Sequence, residues 1–587
     1  MNIKLLEYLN RFEFTTSKYS KFFTSIDRES FDIQAPYLVE VEHFNTRLKT
    51  ALDKQEKICI YSDYDADAIT ATATMYWGLI LLGFNPDKIS YYAPDRFIEG
   101  YGINPEAISK LAKSNDLIIS VDCGINSVIE ASICLDSECD LIITDHHVLS
   151  GTIPQALAVI NPRLTEEYQK NYLARRMRES TFENSFSNQE FRLPIKEDFV
   201  SPSVCGVGVV WFCLLHLTNH LNLNPNLLNL LLPFVAIGTI ADCQSIRDNQ
   251  NRLLVKAGLK MFPQSMSKFK GLKALINLAG LSDKIELGLL SSQDLGYTLA
   301  PMLNAAGRID HANVAIKLLC TSNEEEAHNL AQTIIDINNQ RKQMVKEAST
   351  TALTLVEDDT HCNYLITDYS KGIVGLIATK LLDMNNKVSV VISKDPESYS
   401  SASLRAPKGY NLVEIMKQVK PGLLKKFGGH PEAAGFSCEN EYCELVGEEF
   451  ERILSGYTPT PETKANYIPQ SLSLPDFNRK NTIYLEPKDI SESLFNDLSS
   501  LEPFGQDFQM PKFLTKITNF TITYMGQHQN HVRIKMDKWS FVMFNLDTTD
   551  KLILEETKPI FVLFKVSKNI FNSNVTNQMI IDKIITR

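Results

Sequence analysis

The chain has 587 residues, 44% hydrophobic and 22% charged, with a formal net charge of −11. That length exceeds what one core supports, so three or four domains are expected, with the composition of a soluble globular protein. The acidic balance excludes a wholly basic nucleic-acid binder but leaves room for a local basic groove.

Met1–Phe14 mixes Glu7 and Arg11 into apolar residues and reads as no secretion signal. The apolar runs Val204–Leu217 and Leu227–Ala241 are too short or interrupted to span a membrane. Eleven Cys without a Cys-x-x-Cys pair fit reduced thiols in a cytoplasmic protein better than disulfides or a zinc site. Residues 1–50 read as a helical cap on the first domain. Next comes an apolar run, Lys57–Ser62, ending at Asp63-Tyr64-Asp65-Ala66-Asp67 and followed by an amphipathic stretch, Ile69–Gly83. Leu117–Val121 leads to Asp122, and Leu141–Thr144 to Asp145-His146-His147. These short Ile- and Val-rich runs read as strands of a parallel sheet with crossover helices, so their acids line one crevice at the strand C-termini. A polar insertion, 163–200, carries Arg175, Arg176 and Arg178; another acid, Asp242, follows the apolar stretch Leu230–Ala241.

From Asn323 a helical pattern with Glu324, Glu325 and Glu326 in its first turn continues to about Val356. A second α/β unit follows, with strands Tyr364–Thr367 and Val388–Ile392, helix Val374–Met384 and a loop at Gly428–Gly435. Ser455–Asn466 reads as a linker. The remainder alternates in short runs, Phe520–Tyr524, His531–Met536, Phe541–Phe544 and Ile560–Val566, as a small β-barrel would. The expected division is 1–50 cap, 51–320 first α/β domain, 321–357 connecting helix, 358–454 second α/β domain, 455–466 linker and 467–587 barrel. A cut after about Pro459 would spare every acid above and is expected to leave a folded core.

Any one of these acids alone reads as a helix cap. Caps do not explain acids at 63, 65 and 67 together with a His pair after Asp145. Carboxylates crowded into one crevice repel and lose hydration, and a divalent cation relieves both. Oxygen donors with His nitrogen suit Mn²⁺, with Mg²⁺ as the alternative. The number of acids exceeds one octahedral shell, which points to two ions clamping a displacement at phosphorus.

The motifs Asp63–Asp67, Val121–Gly124, Asp145–His147, Gly238–Asp242, Asn304–Arg308, Gly428–His430, Ala433–Gly435 and Leu501-Glu502-Pro503-Phe504-Gly505 together resemble the RecJ family of DHH/DHHA1 phosphoesterases. The resemblance covers roughly residues 55 to 545. It implies an α/β fold: a DHH parallel-sheet domain joined by a long helix to a DHHA1 α/β domain, then a C-terminal OB-type β-barrel. The activity it implies is a divalent-metal-dependent 5′→3′ exonuclease degrading single-stranded DNA to mononucleotides in recombination and repair. By motif position, Asp65, Asp67, Asp122, His146 and Asp242 are the implied ligands of two Mn²⁺, Asp122 bridging, with His147 beside them orienting the site or the leaving group. Many relatives carry a His two residues before the first acid; Tyr61 stands there, and Asp63 is the candidate to compensate. Ala68 replaces a usual Gly. Arg96, Asn304, Arg308, Ser403 and Arg405 correspond to phosphate-contacting positions, Ser403 and Arg405 gripping the terminal 5′-phosphate, while His430 either touches substrate or belongs to a capped turn. The expected partner is single-stranded DNA, met by a monomer away from membranes, with a single-strand-binding protein and a DNA helicase as further candidates. A phosphodiesterase on nanoRNA or small nucleotides is the alternative that the barrel argues against. An inactive RecJ-like scaffold is the one that the retained acids argue against.

Overall fold

Five short strands, β1 (Ile58–Ser62), β2 (Ile89–Tyr92), β3 (Leu117–Val121), β4 (Asp140–Thr144) and β5 (Ala158–Ile160), form a parallel sheet in the order β2-β1-β3-β4-β5. Every residue of β1 and β3 is buried, as continuous apolar strands covered on both faces must be. The order reverses direction at β1, so the crevice at the C-terminal ends of β1 and β3 is the topological switch point. In this computed structural model the described residues are 2–11, 35–164, 199–460 and 481–585, except 97, 101, 310, 356–358, 396–398, 547, 557–558 and 572–573. Most of the 163–200 insertion, part of the 455–466 linker and residues 12–34 of the expected cap lie outside them. No helix among the described residues is long and apolar enough to cross a membrane.

The chain divides into two units, Met1–Pro301 with Ile316–His328 and Ala465–Arg587, and Met302–Ala315 with Asn329–Lys464. In the first unit, the helices Ala66–Leu81, Gly206–His220 and Leu232–Ala241 pack on one another through close approaches. A Cβ on Gly78 would lie 2.3 Å from Leu214 Cδ1, and one on Gly238 would lie 2.5 Å from Thr70 Oγ1. The helix Val41–Lys54 is tied to the parallel sheet by Arg47, whose guanidinium donates to Asp140 at 2.5 Å and to Glu56 at 2.6 Å. The first helix, Ile3–Asn10, is not a cap on that sheet. Its Tyr8 donates to the carbonyl of Gln509, Asn2 N–H to Asp497 at 2.6 Å, and Arg11 to the carbonyl of Thr482 at 2.6 Å.

The C-terminal sheet of the same unit holds β11 (Thr482–Leu485), β12 (Lys512–Ile517), β13 (Thr521–Met525), β14 (His531–Met536), β15 (Trp539–Phe544), β16 (Ile560–Phe571) and β17 (Asn574–Ile585). Their order is β11-β12-β16-β17-β15-β14-β13. The expected barrel is therefore OB-like but not closed. Its end strands β11 and β13 do not pair with each other among the described residues, and inside the sheet β17 pairs in parallel with β15 over only two residues. Along β14, Val532, Ile534 and Met536 point into the core while Arg533 and Lys535 face water.

In the second unit the helix Glu324–Leu355, 32 residues long, leads from the first unit into a sheet of β6 (Cys362–Thr367), β7 (Val388–Ser393), β8 (Ser400–Arg405), β9 (Lys426–His430) and β10 (Ala433–Cys438), ordered β6-β7-β8-β10-β9. The segment Gly428–Gly435, expected as a loop, is instead an edge hairpin of β9 and β10. Glycine has little strand propensity, and backbone pairing with β10 overrides it.

A cut after Pro459 is not silent in this architecture. It strips Arg252, buried in the helix Asn249–Lys268, of its hydrogen bonds to the carbonyls of Pro503 at 2.7 Å and Leu501 at 2.6 Å. It also exposes Leu5, Tyr8 and Leu9, which are fully buried in the intact chain. The truncated chain is expected to lose at least about 3 kcal/mol of stability, read as a lower denaturant midpoint against the full chain. An unchanged midpoint would restore an independent core.

Candidate metal centre

Tight backbone geometry builds the site. Asp65 is the N-cap of the helix Ala66–Leu81, its carboxylate accepting from Ala68 N–H at 3.0 Å. Two residues on, Asp67 accepts from the N–H groups of Gly206 at 2.7 Å and Val207 at 3.0 Å, at the positive end of the helix Gly206–His220. A Cβ on Gly206 would stand 2.5 Å from Asp122 Oδ1, so only glycine lets this helix end approach both acids. Asp122 leaves β3 with φ +59, a left-handed turn that aims its carboxylate inward, and its N–H holds Thr144 O at 2.9 Å. Asp242 caps the C-terminus of the helix Leu232–Ala241 and accepts from Gln244 Nε2 at 2.6 Å.

His146 stands in the middle. Its Nε2 is 3.1 Å from Asp122 Oδ1, 3.6 Å from Asp242 Oδ2 and 4.0 Å from Asp67 Oδ2. Asp122 Oδ1 nevertheless makes no hydrogen bond, and neither does Asp63 Oδ1, although both are buried. Unpaired buried oxygens beside a ring nitrogen are what a cation-binding donor set looks like. Two groupings of donor atoms lie within 4.8 Å of one another, Asp67–His146–Asp242 and Asp122–His146–His147. Asp63 and Asp65 belong to neither. Tyr61, two residues before Asp63, is buried with its hydroxyl accepting from Asn104 N–H at 3.0 Å.

The electrostatics follow from burial. Desolvation, then the charges of Asp242 and Asp65, hold Asp67 well above the usual carboxylate range. Desolvation with Asp67 and Asp65 does the same to Asp122. Burial and Asp65 push Asp63 up to about 8, and the same causes bring Asp242 to about 6. Burial and the His147 charge lower His146 to about 3, which leaves a neutral imidazole with a lone pair to give. Burial opposes the His147 imidazolium, but its hydrogen bond to Asp145 at 2.8 Å and the nearby acids lift it to about 9.

Asp145, quoted above only as part of a motif, holds this pair in place. It accepts from the N–H groups of Ile125, His146 and His147. The Gly206 and Val207 amides were missed altogether, since glycines in an apolar run read as packing. Their one sequence signal is glycine at the start of a helix, where N–H groups are unpaired.

Known proteins match this chain along most of its length. Family models described as the DHH family N-terminal domain, the DHHA1 domain and the RecJ OB domain match residues 57–239, 359–456 and 483–583. The single-stranded-DNA-specific exonuclease RecJ of Bacillus subtilis (strain 168) is 30% identical over 546 residues, covering 91% of this chain and 62% of its own length. RecJ of Escherichia coli (strain K12) is 27% identical over 568 residues, 92% of this chain and 89% of its own. The chain carries a DHH, a DHHA1 and a RecJ OB domain in that order. In fold it resembles the RecJ of Thermus thermophilus in complex with Mn²⁺, with a TM-score of 0.74 at 22% identity over 100% of this chain and 76% of that one. A further exonuclease RecJ structure, bound to manganese, aligns with a TM-score of 0.57 at 25% identity over 73% of this chain and 97% of that one.

The residues expected to contact phosphate fall in both units. In the first, Arg96 lies over the Tyr64 ring, 4.8 Å from its centroid. In the second, Arg405 donates to Ser403 Oγ at 3.1 Å and to Leu404 O at 2.8 Å. Gly375, at the start of the helix Val374–Asn385, comes so close that a Cβ there would be 2.9 Å from Ser403 Oγ. Ala433 is opposite both Arg405 and His430 in register, which puts those two side chains on one face of the sheet. Asn304 and Arg308 lie one turn apart on the helix Ala300–Ile309, and Arg308 donates to Gly372 O at 3.1 Å.

Groups with a folded pKa above the unfolded value bind more protons when folded, so they lower stability as pH rises. Asp63, Asp242 and His147 all act in that direction, over a window from the ordinary carboxylate range up to about 9. His146, lowered to about 3, acts the opposite way below its ordinary value, so in chelator the thermal midpoint is expected to fall as pH is raised from about 7 to 9, and Mn²⁺ to remove most of that slope. A midpoint independent of pH in chelator would refute the shared field of these acids.

Proposed function

We propose that the chain is a divalent-metal-dependent exonuclease that removes mononucleotides from the 5′ end of single-stranded DNA. The observation carrying this reading is the convergence of Asp67, Asp122 and Asp242 on the neutral His146. It occurs in a chain related along nine-tenths of its length to proteins named single-stranded-DNA-specific exonuclease.

Asp67, Asp122, His146 and Asp242 would hold Mn²⁺ or Mg²⁺, and Asp63 and Asp65 would serve a second ion. The bound ions supply Lewis acidity at phosphorus and a nucleophilic water at neutral pH. The chain's own residues do the rest. The Gly206 and Val207 amides hold Asp67 in one rotamer. His147, kept as a cation by Asp145, donates to the 3′ oxygen that departs from the scissile phosphate. Ser403 and Arg405 grip the 5′-phosphate, setting polarity, while Arg96, Asn304, Arg308 and His430 contact the strand's remaining phosphates. The outward Arg533 and Lys535 of β14 and the exposed Phe544 of β15 carry further nucleotides by charge and stacking. Such an enzyme works as a monomer in the cytoplasm during recombination and repair. A DNA helicase would open its substrate and a single-strand-binding protein would coat it.

Asp122→Ala is expected to abolish digestion of a 5′-labelled single strand in Mn²⁺ while the denaturant midpoint in chelator is unchanged or higher. Activity equal to the parent would remove Asp122 from the reaction. Arg405→Ala should depress cleavage of 5′-phosphorylated ends at least about tenfold more than of 5′-hydroxyl ends, since it deletes a charge-assisted contact. Equal losses on the two ends would make Arg405 a general backbone contact.

A further inference from the structure

The motif Leu501–Gly505 stands apart in the sequence from every metal-ligand motif, and the catalytic reading leaves it without a task. In the structure it is buried against the segment that follows Asp242. Arg252, buried and lowered to about 9 by desolvation, donates to the carbonyls of Leu501, Glu502 and Pro503 at 2.6, 3.1 and 2.7 Å. Its guanidinium also lies over the Phe508 ring, 5.3 Å from the centroid, and Phe508 stacks on Phe504. Glu502 accepts from Ser292 Oγ at 2.9 Å and from Phe504 N–H at 3.0 Å. The loop is thus fixed along its whole length.

The fixed loop pairs with the metal-site segment. Ile246 N–H donates to Gln506 O at 3.0 Å, and Ser245 and Gln506 form a parallel bridge. Gly505 presses on the same segment: a Cβ there would lie 2.7 Å from Ile246 Cγ1 and 3.5 Å from Ile240 Cδ1. Between these contacts runs the turn Asp242-Cys243-Gln244, with Cys243 at φ +53. Gln244 closes it by donating its N–H to Thr239 O at 3.2 Å and its side chain to Asp242 Oδ2 at 2.6 Å. Asp242 is only half-buried at the end of a helix, unlike Asp67 and Asp122, which are held by interior backbone.

We propose that the Leu501–Phe508 loop, locked by Arg252, is a positioning element for Asp242. It clamps the turn Cys243–Ile246 and so fixes where this carboxylate meets the cation. The C-terminal segment thereby completes the metal centre as well as carrying strand. This inference rests on the reading of Asp67, Asp122, His146 and Asp242 as a metal centre.

The test measures Mn²⁺ binding by calorimetry to the full chain and to its variants Gly505→Ala, Arg252→Gln, Arg252→Lys and Gln244→Ala. The control is Leu514→Ala, which opens a cavity in the C-terminal sheet away from the loop. Gly505→Ala and Arg252→Gln should weaken Mn²⁺ about tenfold or more, the usual size of an outer-shell effect. Arg252→Lys should recover part of that loss. Leu514→Ala should lower the thermal midpoint and leave Mn²⁺ affinity at the parent value. Gln244→Ala, at a half-buried position that does not carry the fold, should weaken Mn²⁺ even where a loop variant fails to fold. Parent-like Mn²⁺ affinity in folded Gly505→Ala and in Gln244→Ala would overturn the inference while leaving the metal centre standing. Absence of Mn²⁺ binding by the parent chain would overturn the metal centre itself, and the inference with it.

Discussion

Carboxyl groups crowded together in a protein interior are the constraint on which this structure turns. Asp63, Asp67 and Asp122 are almost wholly buried, and their fields overlap with those of Asp65 and Asp242. A fold keeps such a cluster only if its scaffold prevents the acids from turning away to water, because each would relax outward on its own. Here Asp67, Asp122 and Asp145 are restrained by backbone. Asp67 has two amides at a helix start, Asp122 a left-handed turn, and Asp145 three amides and an imidazole. The cost of that crowding in the protein alone is what a divalent cation offsets.

The same constraint explains where glycine is needed. Gly206 and Gly238 are places where helices must approach acids closer than a Cβ allows, 2.5 Å to Asp122 and 2.7 Å to Asp67. Their role is one of distance, since neither has a left-handed backbone among the positive-φ glycines. Replacing either would move a helix relative to a carboxylate, and interior packing transmits such a shift to its neighbours.

The second unit solves a simpler problem. Arg405 shares one sheet face with His430, beside the start of the helix Val374–Asn385, and its guanidinium is braced by Ser403 and the Leu404 carbonyl. Bracing a planar fork in advance reduces the entropy lost when it meets an anion. Gly428, on the same face as His430, has nothing within 4 Å of where a Cβ would stand, which leaves space above that face, whereas Gly429 takes φ +136 and lies close on Ala433 and Ala434.

The sequence by itself determined the parallel sheet and its acids. Strands such as Ile58–Ser62 and Leu117–Val121 carry their burial in local composition, and an acid just after such a strand must sit at the sheet's crevice. It also carried the long helix, whose period and acidic first turn are local signals, and the alternation of His531–Met536. What it did not determine depends on contacts between residues far apart in the chain. Nothing local marks Gly206 as the partner of Asp122, or says that Gly428–Gly435 pairs as an edge hairpin. Nor could the linker show that Arg252 reaches 249 residues along the chain for the carbonyl of Leu501. Tertiary structure decided those points, and with them the open C-terminal sheet and its place in the same unit as the acids. The physical reason is that burial periodicity is written residue by residue, whereas the partner of a buried polar group is chosen by whichever distant element the finished core brings within hydrogen-bond reach.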